Sequence, residues 1–423
     1  MRRPPTVERH GVEPRSPLRW LLVAGAVLIG CAGSARAQRA PQDYPQWRGL
    51  NRDGAASAFS EPASWPETLV RRWKVEVGEG YATPLVVAKT VYIFTRRNGT
   101  EVMTALDAET GHERWRTSYP APYAPARLAA AHGVGPKATP LFHAGRLYTL
   151  GLTGIVSAFD ADTGKLAWQT LAPLEHPTYG MAVSPVGDEN LVFVHPGNHG
   201  PLTAFDAGTG AVQWTGTGRA AYASPIIVEL GGFRQVVTMT ENSVLGVSLT
   251  DGARLWEYSW RSSGTPSAIT PILYGDTLIV GGQAMGLIAL KPVQRGGSWV
   301  VDVVWATNDV SLFLSNPVIV GNTLFGLSEK ARGQFFALDA DTGTVLWLGP
   351  PRQASNTAVV KAGNLLLLLN DDAELIVARS SRSGFEPLKR YTVADSATWA
   401  QPTISGNRVF VKDVSAISLW TLN

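Results

Sequence analysis

The chain has 423 residues, among them 43 Gly, 28 Pro and 14 Trp, and only 17% of its residues are charged. That mixture suits many short strands joined by tight turns and excludes a fold built on long helices. The formal charge of +3 is concentrated at the start: residues 1–37 hold six Arg against two Glu, while the remainder carries 31 basic and 32 acidic side chains, which leaves no footprint for a phosphate backbone and excludes nucleic acid as a partner.

Residues 1–37 read as a signal peptide: a basic stretch to Arg19, an apolar run from Trp20 to Ile29, then small residues. At roughly ten to twelve residues the apolar run is too short to span a bilayer. Pro4-Pro5 after Arg2-Arg3 departs from a twin-arginine signal. Two cleavage chemistries stay open. Leu28-Ile29-Gly30-Cys31 has the pattern of a lipobox, in which Cys31 is acylated and becomes the first residue, whereas Ala35-Arg36-Ala37 has that of an ordinary signal-peptidase site, which leaves Gln38 first. Cys31 is the single cysteine, and an unpaired thiol is unusual in an oxidising compartment. The expectation is an exported, periplasmic chain, attached to the outer membrane only if Cys31 is acylated. Residues 38–66 form a lead-in segment without periodicity, and residues 67–423 are expected to make one domain.

Within that domain one pattern recurs: small, apolar, Asp, two residues, Thr-Gly, and an aromatic four residues after the Gly. Ala105-Leu106-Asp107 leads to Thr110-Gly111 and Trp115; Ala158-Phe159-Asp160 to Thr163-Gly164 and Trp168; Ala204-Phe205-Asp206 to Thr209-Gly210 and Trp214; Ala337-Leu338-Asp339 to Thr342-Gly343 and Trp347. Weaker copies end at Trp256, Trp305 and Tyr391, and Trp73 precedes them all. The 318 residues from Trp73 to Tyr391 hold seven intervals, a mean of about 45, the length of a four-stranded blade. The physics of each unit is legible. The apolar stretch is a strand, Asp caps a hairpin turn, and Gly takes a positive φ. The aromatic of the outer strand then offers a flat apolar face to the next blade, so the repeats are mutually dependent. Trp73, Trp115, Trp168, Trp214, Trp256, Trp305 and Trp347 are the expected docking residues.

A second landmark counts the blades independently. Thr83-Pro84, Thr139-Pro140, Ser184-Pro185, Ser224-Pro225, Thr270-Pro271, Asn316-Pro317, Asn356-Thr357 and Gln401-Pro402 each open an apolar segment, eight in all. Proline at the first residue of a strand removes no ladder bond, so these mark the innermost strands. The last unit, residues 399–422, is one strand short, and residues 69–77 supply it. The expected fold is therefore all-β: an eight-bladed propeller of four-stranded antiparallel blades, closed by pairing the N-terminal strand with the last blade and leaving no free sheet edge.

These Trp-docking repeats resemble those of the pyrroloquinoline-quinone-like propellers, and Tyr44-Pro45-Gln46-Trp47-Arg48-Gly49 with Asn51-Arg52-Asp53-Gly54 is similar to the lead-in of exported bacterial members. The resemblance spans residues 44–423 and implies two unlike functions. The first is a scaffold in the cell envelope, like the BamB-type lipoproteins of the outer-membrane assembly machinery, with an envelope protein as partner. The second is quinone-dependent alcohol oxidation, for which the resemblance implies pyrroloquinoline quinone with Ca²⁺, an Asp base and a disulfide between adjacent cysteines. With a single cysteine that disulfide cannot form, and no Ca²⁺ ligand set or catalytic Asp can be matched. The repeat carboxylates Asp107, Asp160, Asp206 and Asp339 belong to hairpin turns. The expectation is a non-catalytic binding or scaffold module, with a divergent quinone-binding oxidoreductase or sensor as the alternative.

A small-molecule ligand, if one binds, is expected at the channel mouth, in the turns before the inner strands. There the chain places Tyr81, His132, Lys137, Tyr222, Asn316, Asn356 and Trp399: aromatics for stacking, amides for hydrogen bonding, and a lysine for an acidic group. The same residues also suit a structural role, filling the funnel and satisfying turn backbones. His195 and His199 have metal-binding spacing only on a helix, which Pro196-Gly197 forbids. No metal site is expected, and neither a Gly-x-Ser-x-Gly elbow nor a phosphate-binding P-loop is present.

Overall fold

Each Asp-x-x-Thr-Gly sequence folds as its composition dictates. Asp107 Oδ1 accepts hydrogen bonds from both the backbone N–H and the hydroxyl of Thr110, each at 3.0 Å, and Asp160, Asp206 and Asp339 repeat this with Thr163, Thr209 and Thr342. The following glycines have φ near +72°, as at Gly111 and Gly164, a region that side chains with Cβ disfavour. The turn returns the chain antiparallel. In the outer pair of blade 1, Ala105 faces Trp115 but Leu106 faces Glu113, so Arg114 is an extra, bulged residue. The same bulge recurs at Ala158/Phe159, Ala204/Phe205 and Ala337/Leu338 and re-aims each tryptophan towards the next blade.

The computed structural model describes residues 1, 42–125, 127, 133–261 and 264–422. The segment read as a signal peptide, with Cys31, lies outside the described residues, and so does His132. Among the described residues, eight four-stranded antiparallel sheets follow one another along the chain. Blades 1 to 7 occupy residues 85–120, 141–169, 186–215, 226–259, 272–307, 318–348 and 357–392. Blade 8 combines Thr403–Ser405, Arg408–Lys412 and Ala416–Thr421 with Val70–Glu76, whose residues pair antiparallel with Ala416–Thr421 from Val70 opposite Thr421 to Glu76 opposite Ala416. The closure expected from the repeat count is the one found.

Blades are joined at two radii. On the outside, the Trp115 indole N–H donates to the Ala161 carbonyl of blade 2 at 3.0 Å. Trp73, Trp168, Trp214, Trp305 and Trp347 donate in the same way to Ala108, Ala207, Leu249, Ala340 and Ser381 of their successors. Trp256 departs from the pattern. Its N–H donates to Gln235 Oε1 of its own blade at 2.6 Å, while its ring packs with Leu278 and Leu290 of blade 5. The reason is local: blade 5 replaces the Thr-Gly turn by a long hairpin, Gly286–Arg295 and Ser298–Thr307, so no tight turn receives the indole.

At the axis, the small polar residue before each proline stitches the ring. Thr139 Oγ1 accepts the backbone N–H of Thr83 at 3.1 Å, Ser184 Oγ that of Thr139 at 2.9 Å, Ser224 Oγ that of Ser184 at 2.9 Å, and Asn316 Oδ1 that of Thr270 at 2.8 Å. These groups are buried, so each bond removes the penalty of an unpaired donor.

The lead-in, whose role the sequence leaves open, is threaded into this axis. Tyr44 bridges to Val86 of blade 1, the Pro45 carbonyl accepts Phe142 N–H of blade 2, Ala56 N–H donates to Lys361 of blade 7, and Ser57 N–H to Ile404 of blade 8. Trp47 donates to Thr270 Oγ1 at 2.9 Å. Two buried arginines complete the plug: Arg48 Nη2 donates to the Pro317 carbonyl at 2.6 Å, and Arg52 donates to the carbonyls of Pro185 and Ser184 at 2.8 and 3.1 Å.

Candidate ligand pocket at the channel mouth

The turns that enter the inner strands converge on a cavity of about 260 Å³. Every blade contributes to its wall. Tyr81, Lys137, Tyr179 and Tyr222 come from blades 1 to 4, Thr265 and Pro266 from blade 5, Phe313 and Asn316 from blade 6, and Asn356 and Trp399 from blades 7 and 8. Six of the seven mouth residues singled out from the sequence, Tyr81, Lys137, Tyr222, Asn316, Asn356 and Trp399, thus line one cavity, and the seventh, His132, lies outside the described residues.

The aromatic side is mutually braced. Tyr81 and Trp399 approach at 6.3 Å between ring centroids, Tyr179 and Tyr222 at 6.4 Å. His199 meets the Tyr222 ring edge-on at 4.9 Å and is itself held by its Nδ1 contact, at 2.9 Å, with the Ala220 carbonyl. His195 is buried between the Gly200 carbonyl and the Thr238 hydroxyl, and burial depresses its pKa to about 4. His199 thus braces the wall, whereas both ring nitrogens of His195 are engaged away from it. Burial raises the Tyr222 hydroxyl to about 12.

The polar groups of the cavity include hydroxyls, one cation and side-chain amides. Lys137 Nζ donates to the Tyr179 carbonyl, and burial lowers its pKa to about 8. Asn316 Oδ1 and Asn356 Oδ1 are both occupied by the protein, accepting from Thr270 N–H and the Ser315 hydroxyl at 2.8 Å each. Asn316 Nδ2 already donates one N–H to the Leu314 carbonyl at 3.4 Å, so its second N–H and the Asn356 amide nitrogen are the groups left for the cavity. Gln401 is 4% exposed and its Nε2 has no hydrogen-bond partner. A recess of about 40 Å³ shares Trp47, Leu314, Asn316, Asn356, Trp399 and Gln401 with the cavity and is also lined by Arg48. Among the described residues, no Asp or Glu lines the cavity or the recess, and no three His, Cys, Asp or Glu side chains gather as a metal site would require.

Sequence reasoning passed over Trp47, Arg48, Tyr179, Phe313 and Gln401. Gln401 had a signal, since it occupies the pre-proline position of the eighth blade, where a long amide replaces the short hydroxyl of Thr83 or Ser184. Trp47 and Arg48 had none, because their partners Thr270 and Pro317 are more than 200 residues away.

A family model described as outer membrane protein assembly factor BamB matches residues 66–152 and 152–386. The chain belongs to that family. BamB of Shewanella oneidensis is 24% identical over 365 residues, which cover 80% of this chain and 85% of that protein. Among solved structures, BamB from Moraxella catarrhalis superposes with a TM-score of 0.60 at 16% identity, covering 84% of this chain and 100% of that one. Quinohemoprotein alcohol dehydrogenase from Comamonas testosteroni gives 0.65 at 14% identity, covering 92% and 81%. The BamB family and the dehydrogenase thus share one propeller architecture with this chain, and the structural likeness speaks for fold alone.

Proposed function

We propose that this chain is an exported, non-catalytic binding module of the cell envelope that assists the assembly of outer-membrane proteins, with an envelope protein as its partner. The relatives that span most of its length are named outer membrane protein assembly factors. The observation that carries the non-catalytic part is a channel mouth with no carboxylate among its described lining residues. Ca²⁺ takes six to eight oxygen ligands, with carboxylates prominent among them, and a quinone-dependent oxidation needs a base beside the ring. We read this lining as unfit for a Ca²⁺-held quinone and derive no redox step from it. No helix among the described residues is long and apolar enough to cross a membrane. We place the propeller in the periplasm, with acylation of Cys31 as its attachment to the outer membrane.

The test is made in the source bacterium. Removing the gene is expected to lower the folded, heat-modifiable fraction of outer-membrane β-barrel proteins, and the full chain is expected to restore it. Unchanged barrel levels together with a lost quinone-dependent alcohol oxidation would reverse the reading in favour of the oxidoreductase. Metabolic labelling with palmitate, comparing the chain with its Cys31→Ala variant, decides the anchor.

A further inference from the structure

We propose that the channel mouth is a binding site for a small flat organic anion, a one- or two-ring aromatic carboxylate held without a metal. Its acid group enters the recess beside Arg48 and Gln401, and its ring lies against the aromatic wall. This inference goes beyond the assembly reading and does not depend on it.

The charge of the site points to an anion. Lys137 lines the cavity, Arg48 lines the recess, and Arg52 donates to the carbonyl of Ser184 in the cavity wall; none of the three has an ion-pair partner among the described residues. Asp53, whose charge Arg48 feels, is itself paired with Lys361 at 2.9 Å. Burial lowers the two arginines to about 10 and about 9, so both remain cations at neutral pH. Buried charge is ordinarily paired; here the two arginines meet only neutral oxygens, backbone carbonyls and the Gln46 side-chain amide, and Arg52 Nε is left without an acceptor. A ligand carboxylate would bring the missing negative charge to the recess.

The hydrogen-bonding inventory points the same way. The amide oxygens of Asn316 and Asn356 are turned into the protein, and the buried Gln401 Nε2 is unpartnered. With one Asn316 N–H committed to the Leu314 carbonyl, its second N–H, the Asn356 amide and the buried Gln401 Nε2 still place donors from three blades around the recess, the complement of a group that only accepts. Its size accommodates such a ligand: the main cavity of about 260 Å³ has room for one or two rings, and the recess of about 40 Å³ for one carboxylate-sized group. Trp47 and Trp399 border both spaces, so a ring attached to that carboxylate meets indole surface as it leaves the recess.

The probe pair is 2-naphthoate and its neutral isostere 2-naphthamide, titrated by calorimetry into the purified exported chain with EDTA present throughout. The acid is expected to bind saturably, one per chain, and at least about tenfold tighter than the amide, the ratio that one charge-assisted contact supplies. Gln401→Leu and Lys137→Met are each expected to weaken the acid several-fold while leaving the amide unchanged. The unliganded thermal midpoint of each variant shows that it is folded; should Gln401→Leu unfold, Lys137→Met carries the comparison. Equal affinity for acid and amide, absence of saturable acid binding at millimolar concentration, or binding that appears only when Ca²⁺ replaces EDTA would each overturn the proposal.

Discussion

The indole of Trp115 in blade 1 lies across Gly164 of blade 2, so close that a Cβ on Gly164 would come within 2.4 Å of the indole Cε3. The glycine is thus required twice, for its φ of +72° and for the approach of the ring. Gly99, at φ +79° in the hairpin of blade 1, has nothing within 4 Å of its would-be Cβ. Gly99→Ala is expected to cost about 1 kcal/mol, the backbone strain alone, and Gly164→Ala about 3 kcal/mol or more, since the ring must also move. Urea unfolding of the two variants measures the difference. Equal costs would mean that the docked indole slides at no expense and that the Thr-Gly turn is conserved in form for its bend only.

The inner ring makes a separate prediction. Thr139 is 1% exposed and its hydroxyl accepts the Thr83 backbone N–H. Thr139→Val keeps the shape but leaves that donor buried and unpaired, which is expected to cost about 1–3 kcal/mol, whereas Thr139→Ser, which retains the acceptor, should cost less than half of that. Thermal unfolding of both variants checks it. A valine variant as stable as the serine one would reduce the hydroxyl-to-amide ring to a geometric coincidence.

Much of this was readable before the structure. The Asp-x-x-Thr-Gly units and pre-proline residues are local, and their chemistry follows from turn geometry and the missing proline N–H. What stayed hidden is non-repetitive. Tyr44, Trp47, Arg48 and Arg52 lie in a segment with no period, and their partners are scattered over Val86, Thr270, Pro317 and Ser184; only the closed ring brings those together. The same holds for Trp256, whose different partner follows from a turn missing in the next blade. At the mouth, the sequence identified residue types, but the outward turn of the Asn316 and Asn356 oxygens depends on neighbours it could not place.

The plug is testable at Tyr44. This side chain is fully buried, and its hydroxyl has no partner; burial raises its pKa further above the ordinary phenolic value. Tyr44→Phe removes a desolvated polar group and keeps the packing, so it is expected to stabilise by about 1 kcal/mol. Tyr44→Ala deletes the ring that packs among Val86, Val91 and Phe410 and is expected to cost about 3–5 kcal/mol. Both follow from differential scanning calorimetry. Loss of stability in the phenylalanine variant would show that the hydroxyl is satisfied in solution and that the lead-in is packed differently.

Lys137 allows the mouth to be probed by pH. Its pKa falls from 10.5 in the unfolded chain to about 8 because burial disfavours the ammonium. Below pH 8 both states carry the proton and the folded state bears the full desolvation cost. Between about 8 and 10.5 the unfolded chain holds more protons than the folded one, so stability rises with pH, and above that window the cost is gone. Lys137→Met is therefore expected to be more stable than the parent at pH 7, by about 1–2 kcal/mol once the lost bond to the Tyr179 carbonyl and residual solvation are allowed for, and the gap should close as pH approaches 10.5. Chemical denaturation across that range measures it. The same variant is expected to bind 2-naphthoate less well, and the opposite signs separate two roles: a lysine kept only to fill the funnel would stabilise it, whereas one kept against its own desolvation cost is retained for what it holds.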